Sequence, residues 1–382
     1  MRRGWAVSMK IARVDVFGYD VHYVHGSYVM SGGRTVTALP STVVRITTDD
    51  GTTGWGEVCP LGSTYLPASA EGARAALREL APVVLGLDPT NLELIHHTME
   101  TVLRGHAYAK SPIDVACWDV LGRASGYPAS TLLGGCCQSQ YPLYVAVPMG
   151  SPEEMAEHVR AYRAQGIHRF QLKVGGDPRA DSERVARVLA ATGDDDLIIA
   201  DANGGWTLQD AVVAVRMLTS SPRLYLEQPC SSLEECLHVR RHTTLPMVLD
   251  EVITDVPSFL RAARAGGMEA INLKIAKVGG LTRARLMRDL AEALGIRVTV
   301  EDMWGGDIVT AAISHLASST RPEMLFTASF MNDWVCEHVA GHTPRSRAGF
   351  GVTPDSPGLG IEVDAGTLGK PLLSVDDTAT RG

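Results

Sequence analysis

The chain has 382 residues, of which 45 % are hydrophobic, and a formal net charge of −8 at pH 7. This length is enough to bury a large core, and it predicts two domains or one large domain with a smaller one attached. The acidic balance excludes nucleic acid as a partner, and the lack of any apolar run near the roughly 18 residues of a membrane span excludes an integral membrane protein.

The first residues and the cysteines indicate where the protein works. Residues 1–8 are too few for a signal peptide, and they are either a cloning remnant or an upstream start. The seven cysteines are odd in number, scattered, and without paired metal-ligand spacing. Such usage is typical of reduced thiols rather than of a disulfide framework. We therefore expect a cytoplasmic protein.

Before residue 141 the sequence has a block of strand signals followed by a block of helix signals. IARVDVFGYDV and STVVRITTDDGTTGWGE predict an antiparallel meander with a turn at Asp-Asp-Gly. ASAEGARAALRELAPVVLG and SPIDVACWDVLGRASG follow and predict helices. Together they predict an N-terminal α+β domain, which we expect to cover residues 1–135.

Two loops of this domain have the composition of lids. Residues 22–33 place aromatic residues between glycine hinges, and residues 59–69 form a loop punctuated by Gly and Pro that carries Tyr65. Loops of this kind close over active sites in many enzymes. We therefore expect this domain to cap a site on the rest of the chain.

From about residue 141 onward, β-branched runs alternate with helix-like segments. The runs are YPLYVAVP, RFQLKV, LIIADAN, LYLEQP, PMVLDE, AINLKI, RVTVED and MLFTAS. Eight strand and helix units in succession predict a parallel (β/α)₈ barrel of the TIM type, an α/β fold, over residues 136–345. The alternative is an open doubly wound sheet, but no Gly-x-Gly-x-x-Gly follows a strand. Residues 346–382 are expected to return to the capping domain.

Three successive strands of this predicted barrel end in an acid, namely Asp201, Glu227 and Asp250. Because the carboxyl ends of barrel strands meet at one mouth, these carboxylates are expected to lie close together. Three adjacent anions are tolerable around a hard divalent cation, and an all-oxygen ligand set favours Mg²⁺. The alternative is that each acid only caps a helix or pairs with a lysine.

Two lysines flank the acids along the chain. Lys173 ends the strand before them and Lys274 ends the strand after them, so the barrel would hold one ammonium group on each side of a metal. A partly buried lysine beside a dication has its pKa pushed down, toward the range of a general base. The alternative role for either lysine is an ion pair with the acids.

These five residues lie in the short motifs QLK, ADAN, EQP, LDE and NLKIAKVGG, which can be compared with the motifs of known families. Together with GWGE and KSPIDVACWDVLGR in the first domain, they resemble the muconate-lactonizing enzyme and mandelate racemase group of the enolase superfamily. The resemblance implies one Mg²⁺ per subunit on Asp201, Glu227 and Asp250, with Lys173 and Lys274 as the acid/base pair. It also implies a small-molecule carboxylate substrate and a homo-oligomer.

Several neighbouring residues depart from that family pattern or extend it. Many relatives have Lys-x-Lys at the second strand, whereas this chain has Gln171 there, which can still donate a hydrogen bond to a substrate. Glu251 is expected to be a partner of a lysine, and Lys277 to be a loop or anion-contact residue. A His-Asp pair at the sixth and seventh strands, used by the mandelate-type branch, is absent from the sequence.

Candidate substrate contacts are Tyr65, Gln171, Asn203, Trp304 and Phe330. Aromatic faces near a metal-held carboxylate would suit an aliphatic ring or a cationic nitrogen. The alternative for each aromatic residue is a place in the core.

The same features resemble a branch that acts on proline derivatives, which includes cis-3-hydroxy-L-proline dehydratases and hydroxyproline-betaine 2-epimerases. We expect a dehydratase, because Tyr65 alone does not complete an aromatic box and Phe330 stands where a larger indole would be expected around a quaternary nitrogen. A betaine racemase or epimerase is the alternative, followed by a dipeptide epimerase.

Overall fold

The computed structural model describes residues 9–376. The segment 1–8, for which two origins were considered, lies outside the described residues, as does 377–382. Among residues 9–376, no helix combines the length and the apolar character needed to cross a membrane.

The described chain contains sixteen strands and thirteen α-helices. The strands are β1 Ile11–His22, β2 Tyr28–Val29, β3 Thr35–Val36, β4 Ala38–Thr48, β5 Thr53–Val58, β6 Tyr141–Pro142, β7 Val145–Val147, β8 Arg169–Lys173, β9 Leu197–Asp201, β10 Leu224–Glu227, β11 Met247–Leu249, β12 Ala270–Lys274, β13 Arg297–Glu301, β14 Leu325–Ala328, β15 Phe350–Gly351 and β16 Leu373–Asp376. The helices are α1 Ala70–Val84, α2 Leu92–Val102, α3 Ala107–Ser125, α4 Ala129–Leu132, α5 Pro152–Arg163, α6 Pro178–Ala191, α7 Leu208–Met217, α8 Leu233–Arg240, α9 Val256–Arg264, α10 Ile275–Val278, α11 Leu281–Ala293, α12 Asp307–Ser318 and α13 Ala365–Leu368. Short 3₁₀ turns cover Ser31–Gly33 and Met331–Trp334.

The first domain is an antiparallel sheet of order β16-β1-β4-β5, packed against α1, α2 and α3. Helix α3 lies unusually close to β5, because β5 contains two glycines. A Cβ atom on Gly54 would lie 2.2 Å from the carbonyl oxygen of Ala116, and one on Gly56 would lie 1.9 Å from that of Pro112. The glycines of the GWGE motif thus allow the helix to contact the strand backbone directly.

The second domain is the expected parallel barrel. Its sheet has the order β7 to β14 in sequence, and α5 to α12 connect the strands. A parallel bridge between Leu143 and Ala328 links the two ends of the sheet, with the Tyr144 N–H donating to the Ala328 carbonyl at 3.0 Å. Helix α5 begins with a capping box between Ser151 and Glu154, which satisfies two backbone N–H groups at its start.

The two domains are joined by a buried carboxylate and by the end of the described chain. Glu57 of β5 accepts hydrogen bonds at 3.1 Å from the backbone N–H groups of Gly306 and Val309, at the start of α12. Strand β16 pairs antiparallel with β1, so the last described residues lie in the N-terminal sheet. These contacts hold the first domain over the carboxyl ends of the barrel strands.

Candidate active site

The barrel register brings the predicted site residues to one level. Asp201 is the direct partner of both Lys173 and Glu227 in the neighbouring strands, and Lys274 is the partner of Glu301. Asp250 follows the last residue of β11. All five predicted catalytic and metal-binding side chains therefore lie at the carboxyl ends of adjacent strands, and all are buried.

Each of the three acids already has donors from the chain. Asp201 is paired with Lys173, and Asp250 with Lys274. Glu227 has no lysine partner and accepts from Gln171 Nε2 at 3.0 Å and from Asn272 Nδ2 at 2.6 Å. Within residues 9–376, no three His, Cys, Asp or Glu side chains are arranged as a ready-made site for a metal ion.

The charges of the site nevertheless fit a divalent cation. Five carboxylates gather there, on Asp201, Glu227, Asp250, Glu251 and Glu301, and they outnumber the three ammonium groups of Lys173, Lys274 and Lys277. Burial and the nearby charges of Asp201 and Asp250 raise the pKa of Glu227 well above its usual value. An excess of buried oxygen anions on neighbouring strands is the donor set that Mg²⁺ prefers.

The neighbouring carboxylates decide the pKa values of both lysines. Burial acts to lower the pKa of Lys173, but the charges of Asp201, Tyr28 and Glu227 outweigh it and raise that pKa. Burial also acts to lower the pKa of Lys274, but the charges of Asp250 and Glu301 outweigh it and raise that pKa. The carboxylates that would hold a cation are thus the groups that keep both lysines charged.

Lys173 and Lys274 line the same small cavity, of about 30 Å³. Their strands, β8 and β12, are four apart in a barrel of eight, so the two ammonium groups approach the cavity from opposite sides. The volume is enough for only a few water molecules. A substrate can therefore enter only if some of the lining residues move.

The two predicted lid loops supply part of that lining. Tyr28 and Met30 come from the loop 22–33, and Leu61 and Tyr65 come from the loop 59–69. The Tyr65 hydroxyl donates to Asp250 Oδ2 at 2.7 Å. Its ring lies beside Lys274, whose Nζ is 5.4 Å from the ring centroid.

Two of the predicted aromatic contacts have different surroundings. Trp304 lines the cavity and packs edge-to-face on Tyr28, with ring centroids 5.2 Å apart. Phe330 does not line this cavity, because its fully buried ring packs against Tyr141. The 3₁₀ turn after Phe330 instead directs Trp334 to the cavity. The prediction for Phe330 is therefore wrong, and with it the inference that no indole stands at this place.

The two polar candidates for substrate contact, Gln171 and Asn203, form hydrogen bonds with acidic residues of the site. Gln171 directs its amide to Glu227, as described above. The amide of Asn203 donates to Glu251 Oε1 at 3.1 Å, and the charge of Glu251 also helps to raise the pKa of Lys274. Burial, together with the charges of Asp250 and Asp201, raises the pKa of Glu251 to about 8.

Lys277 contacts an anion, which was one of its two expected roles, whereas Glu301 has a role that the sequence pattern did not predict. Lys277 is not in a loop, because it belongs to the short helix α10 and its Nζ lies 2.7 Å from Asp250 Oδ1. Glu301 lies 2.8 Å from Lys274 Nζ and accepts from the hydroxyl of Tyr144. Glu301 could have been found from the sequence, because RVTVED ends in acids as the earlier strands do.

Two family descriptions match the chain. "Mandelate racemase / muconate lactonizing enzyme, N-terminal domain" matches residues 15–134, and "Enolase C-terminal domain-like" matches residues 154–367. The first range covers most of the capping domain, and the second covers the barrel strands from β8 onward.

Characterised relatives are similar over their full length. The cis-3-hydroxy-L-proline dehydratase of Roseibium aggregatum is 48 % identical over 364 residues, which are 95 % of this chain and 99 % of that protein. The N-succinyl-L-Arg/Lys racemase of Bacillus cereus is 28 % identical, over 94 % of this chain and 97 % of the racemase.

Solved structures show the same two-domain architecture. The crystal structure of a member of the enolase superfamily from Roseovarius nubinhibens ISM, complexed with magnesium, has a TM-score of 0.91 and 37 % sequence identity, and it covers 97 % of this chain and 100 % of that one. The N-succinyl Arg/Lys racemase structure from Bacillus cereus has a TM-score of 0.89 and 26 % identity, and it covers 96 % of this chain and 99 % of that one.

Proposed function

Because this chain belongs to the mandelate racemase/muconate lactonizing enzyme group of the enolase superfamily, we propose that it is a Mg²⁺-dependent cis-3-hydroxy-L-proline dehydratase. The reaction removes the proton on the carbon next to the substrate carboxylate and then expels the hydroxyl group from the adjacent carbon as water. The relative that is 48 % identical over nearly the whole chain carries this activity in its name, and the named racemase at 28 % identity is more distant.

The observation that carries the proposal is the position of the two lysines. Lys173 and Lys274 approach one small cavity from opposite sides. A cyclic amino acid between them would present one face of its α-carbon to each. The lysine that takes the α-proton must be in its uncharged form, which a cation bound by the neighbouring carboxylates would favour, and the ammonium of the other is the acid available to the leaving hydroxyl.

The acids between the lysines would hold the metal. Asp201, Glu227 and Asp250 are the carboxylates that the family pattern assigns to Mg²⁺, and the excess of buried anions around them supports that assignment. When bound, Mg²⁺ supplies the positive charge that binds the substrate carboxylate and offsets the charge that develops there on proton removal. Tyr65, which donates to Asp250 Oδ2, keeps that carboxylate in place from the lid side.

The surrounding residues define the substrate. Tyr28, Tyr144 and Trp304 line the cavity with aromatic rings, and its small volume favours a small substrate over a dipeptide. A single five-membered ring bearing a carboxylate matches this enclosure. We therefore regard a proline derivative as a better candidate substrate than a dipeptide.

A second candidate function has one observation in its favour. Trp304 and Trp334 both line the cavity, so indole rings are present where a quaternary nitrogen could be held by cation–π attraction. This supports racemisation or epimerisation of proline betaine or 4-hydroxyproline betaine. The greater similarity to the dehydratase leads us to prefer dehydration.

A substrate screen tests the choice. The Mg²⁺-loaded protein is incubated in D₂O with cis-3-hydroxy-L-proline, trans-3-hydroxy-L-proline, proline betaine, 4-hydroxyproline betaine and L-Ala-L-Glu, and products are followed by NMR. We expect loss of the hydroxyl only from the cis isomer. Deuterium incorporation into a betaine without any dehydration of the cis isomer would establish the second candidate instead.

The family and the cysteines support a proposal for the assembly and for the compartment. All seven thiols are free, which supports a reducing compartment such as the cytoplasm. We propose a homo-oligomer with one Mg²⁺ per subunit, and light scattering after size-exclusion chromatography measures the number of subunits.

A further inference from the structure

A second cavity, of about 370 Å³, lies where the capping domain meets the barrel, away from the lysine pair. We call it the rear cavity. Its walls come from α2 and α3 on one side and from α9, α10 and α11 on the other. None of the residues that line the active-site cavity also lines the rear cavity. It is therefore a separate space that the proposed reaction does not use.

The rear cavity contains a buried ammonium group that lacks a hydrogen bond. The side chain of Lys110 is 1 % exposed, and its Nζ atom makes no hydrogen bond of good geometry. The nearest anion is Glu100 Oε1 at 2.7 Å, on a side chain that is 53 % exposed at the rim. A buried ammonium needs a well-placed acceptor, and a carboxylate that is half in water supplies one only in part.

Other groups around Lys110 add positive potential. Arg283 lines the same cavity, and its nearest acid, Glu93, is 3.7 Å away on an exposed side chain. Helix α3 begins at Ala107 in the cavity wall, and its N-cap residue His106 makes no side-chain capping bond. The positive end of a 19-residue helix thus faces the space. The acid Asp255 is engaged in capping α9.

Part of the wall is apolar. Leu66, Val256 and Met287 contribute to it, together with polar residues such as His96 and Thr254. A cavity with a cationic end and an apolar body fits an organic anion better than an inorganic one. We propose that the rear cavity is a binding site for a small monocarboxylate, whose carboxylate takes the place of Glu100 on Lys110 and whose apolar body packs on Leu66, Val256 and Met287.

Two walls of the rear cavity continue into the active site. Leu66 and Pro67 follow directly after Tyr65, which donates to Asp250, and Lys277 lines the rear cavity while its Nζ is bonded to Asp250. A bound carboxylate would therefore contact the same loop that positions Tyr65. Through this loop, a ligand bound in the rear cavity would affect Asp250 in the active site.

Direct binding measurements test the proposal on the full chain treated with EDTA, so that a metal-dependent active site does not contribute. The probe is cyclopentanecarboxylate, with neutral cyclopentylmethanol as the control ligand, and binding is followed by calorimetry and by saturation-transfer NMR. We expect saturable binding of the acid and none of the alcohol.

Three variants locate the probe. Lys110→Met removes the charged donor and should weaken binding about tenfold or more, since a charge-assisted hydrogen bond is lost. Glu100→Gln removes the competing carboxylate at an exposed position and should tighten binding. Lys173→Met changes the active site only and should leave binding unchanged, as should the exposed control Lys370→Met.

Lys110→Met and Glu100→Gln are expected to change binding in opposite directions, which makes the test decisive. If Lys110→Met does not fold, Ala107→Leu fills the rear cavity without removing charge and should abolish binding. Absence of saturable binding to the wild type, or binding that is lost in Lys173→Met and kept in Ala107→Leu, would overturn the proposal. These outcomes do not depend on catalysis, so they are independent of the dehydratase assignment.

Discussion

Lys277 and Asp250 form a buried ion pair that joins the short helix after the sixth barrel strand to the end of the fifth. The Lys277 ammonium lies 2.7 Å from Asp250 Oδ1 and 2.6 Å from the Asp250 carbonyl oxygen. Lys274 and the Tyr65 hydroxyl contact the other carboxylate oxygen, Oδ2. Lys277 therefore holds one oxygen of Asp250 and leaves the second to the groups that face the cavity.

Replacing Lys277 by Met should destabilise the protein strongly. The methionine matches the length of the side chain but leaves Asp250 Oδ1 buried without its partner, and breaking a buried pair from one side costs about 3 kcal/mol. The free energy of unfolding from urea titration measures the loss. Lys370→Met, at an exposed position, is the control and should change it little. Equal stabilities of the two variants would show that Lys277 does not hold Asp250.

The two lysines proposed as base and acid should be separable by isotope exchange. Lys173→Ala and Lys274→Ala should each lower the dehydration rate by about a hundredfold or more, because a positioned base or acid is removed. Each variant should also lose exchange of the α-proton with D₂O from one stereoisomer of a proline substrate, while it keeps exchange from the other. NMR of the substrate measures both rates, and circular dichroism checks the fold. Normal exchange in both variants would rule out the two-sided arrangement.

Much of this site could be predicted because strand ends in a barrel converge. Lys173, Asp201 and Glu227 are direct neighbours in register, so their order along the chain was enough to bring them together. The aromatic lining was harder. In ASFMNDW the sequence offers Phe330 and Trp334, and only the 3₁₀ turn between them decides that Phe330 enters the core and Trp334 reaches the cavity.

The surroundings of Lys277 and Glu251 depend on local backbone turns. Lys277 was expected in a loop or as an anion contact, and a single helical turn after Lys274 carries it back to the carboxylate of Asp250. Glu251 was expected to be a partner of a lysine, and its charge acts on Lys274, while Asn203, with a left-handed backbone at φ 46°, donates its amide to Glu251. Both outcomes depend on local backbone turns after a strand, for which β-strand periodicity carries no signal.

His315 of α12 should make stability depend on pH. Its ring is fully buried and its Nδ1 accepts from the Ser130 N–H at 3.1 Å, and burial lowers its pKa from 6.5 to about 4. Between these two values the unfolded chain binds a proton at this position that the folded chain does not. Stability from this residue is therefore fully present above pH 6.5 and falls as the pH decreases toward 4, by about 3 kcal/mol in total.

The variant His315→Gln isolates this contribution. Glutamine can accept the same backbone hydrogen bond through its amide oxygen but does not titrate, so the slope of unfolding free energy against pH should be shallower between pH 6.5 and 4. Urea unfolding at several pH values measures the slope for both proteins. Identical slopes would mean that His315 is not held neutral in the fold.

Glu227 offers the cleanest test of the metal site, because its donors are amides and not lysines. Asp201 and Asp250 are each paired with an ammonium group, so their replacement would also free a lysine. Glu227→Gln leaves those pairs intact and removes one carboxylate that the metal would use. We expect Mg²⁺ to stabilise the wild-type protein by about 3 kcal/mol at a hundredfold excess over its dissociation constant, and to have little effect on Glu227→Gln.

The stability of the metal-free proteins gives the matching control. Burial, Asp201 and Asp250 all raise the pKa of Glu227, so its charge is unfavourable in the absence of a cation. A neutral glutamine should therefore leave the metal-free protein as stable as the wild type or more so, although it loses the response to Mg²⁺. Thermal unfolding with EDTA and with Mg²⁺ measures both quantities for both proteins. An equal Mg²⁺ response in the variant would show that the ion binds without Glu227, because loss of a true ligand must reduce the stabilisation that the ion supplies.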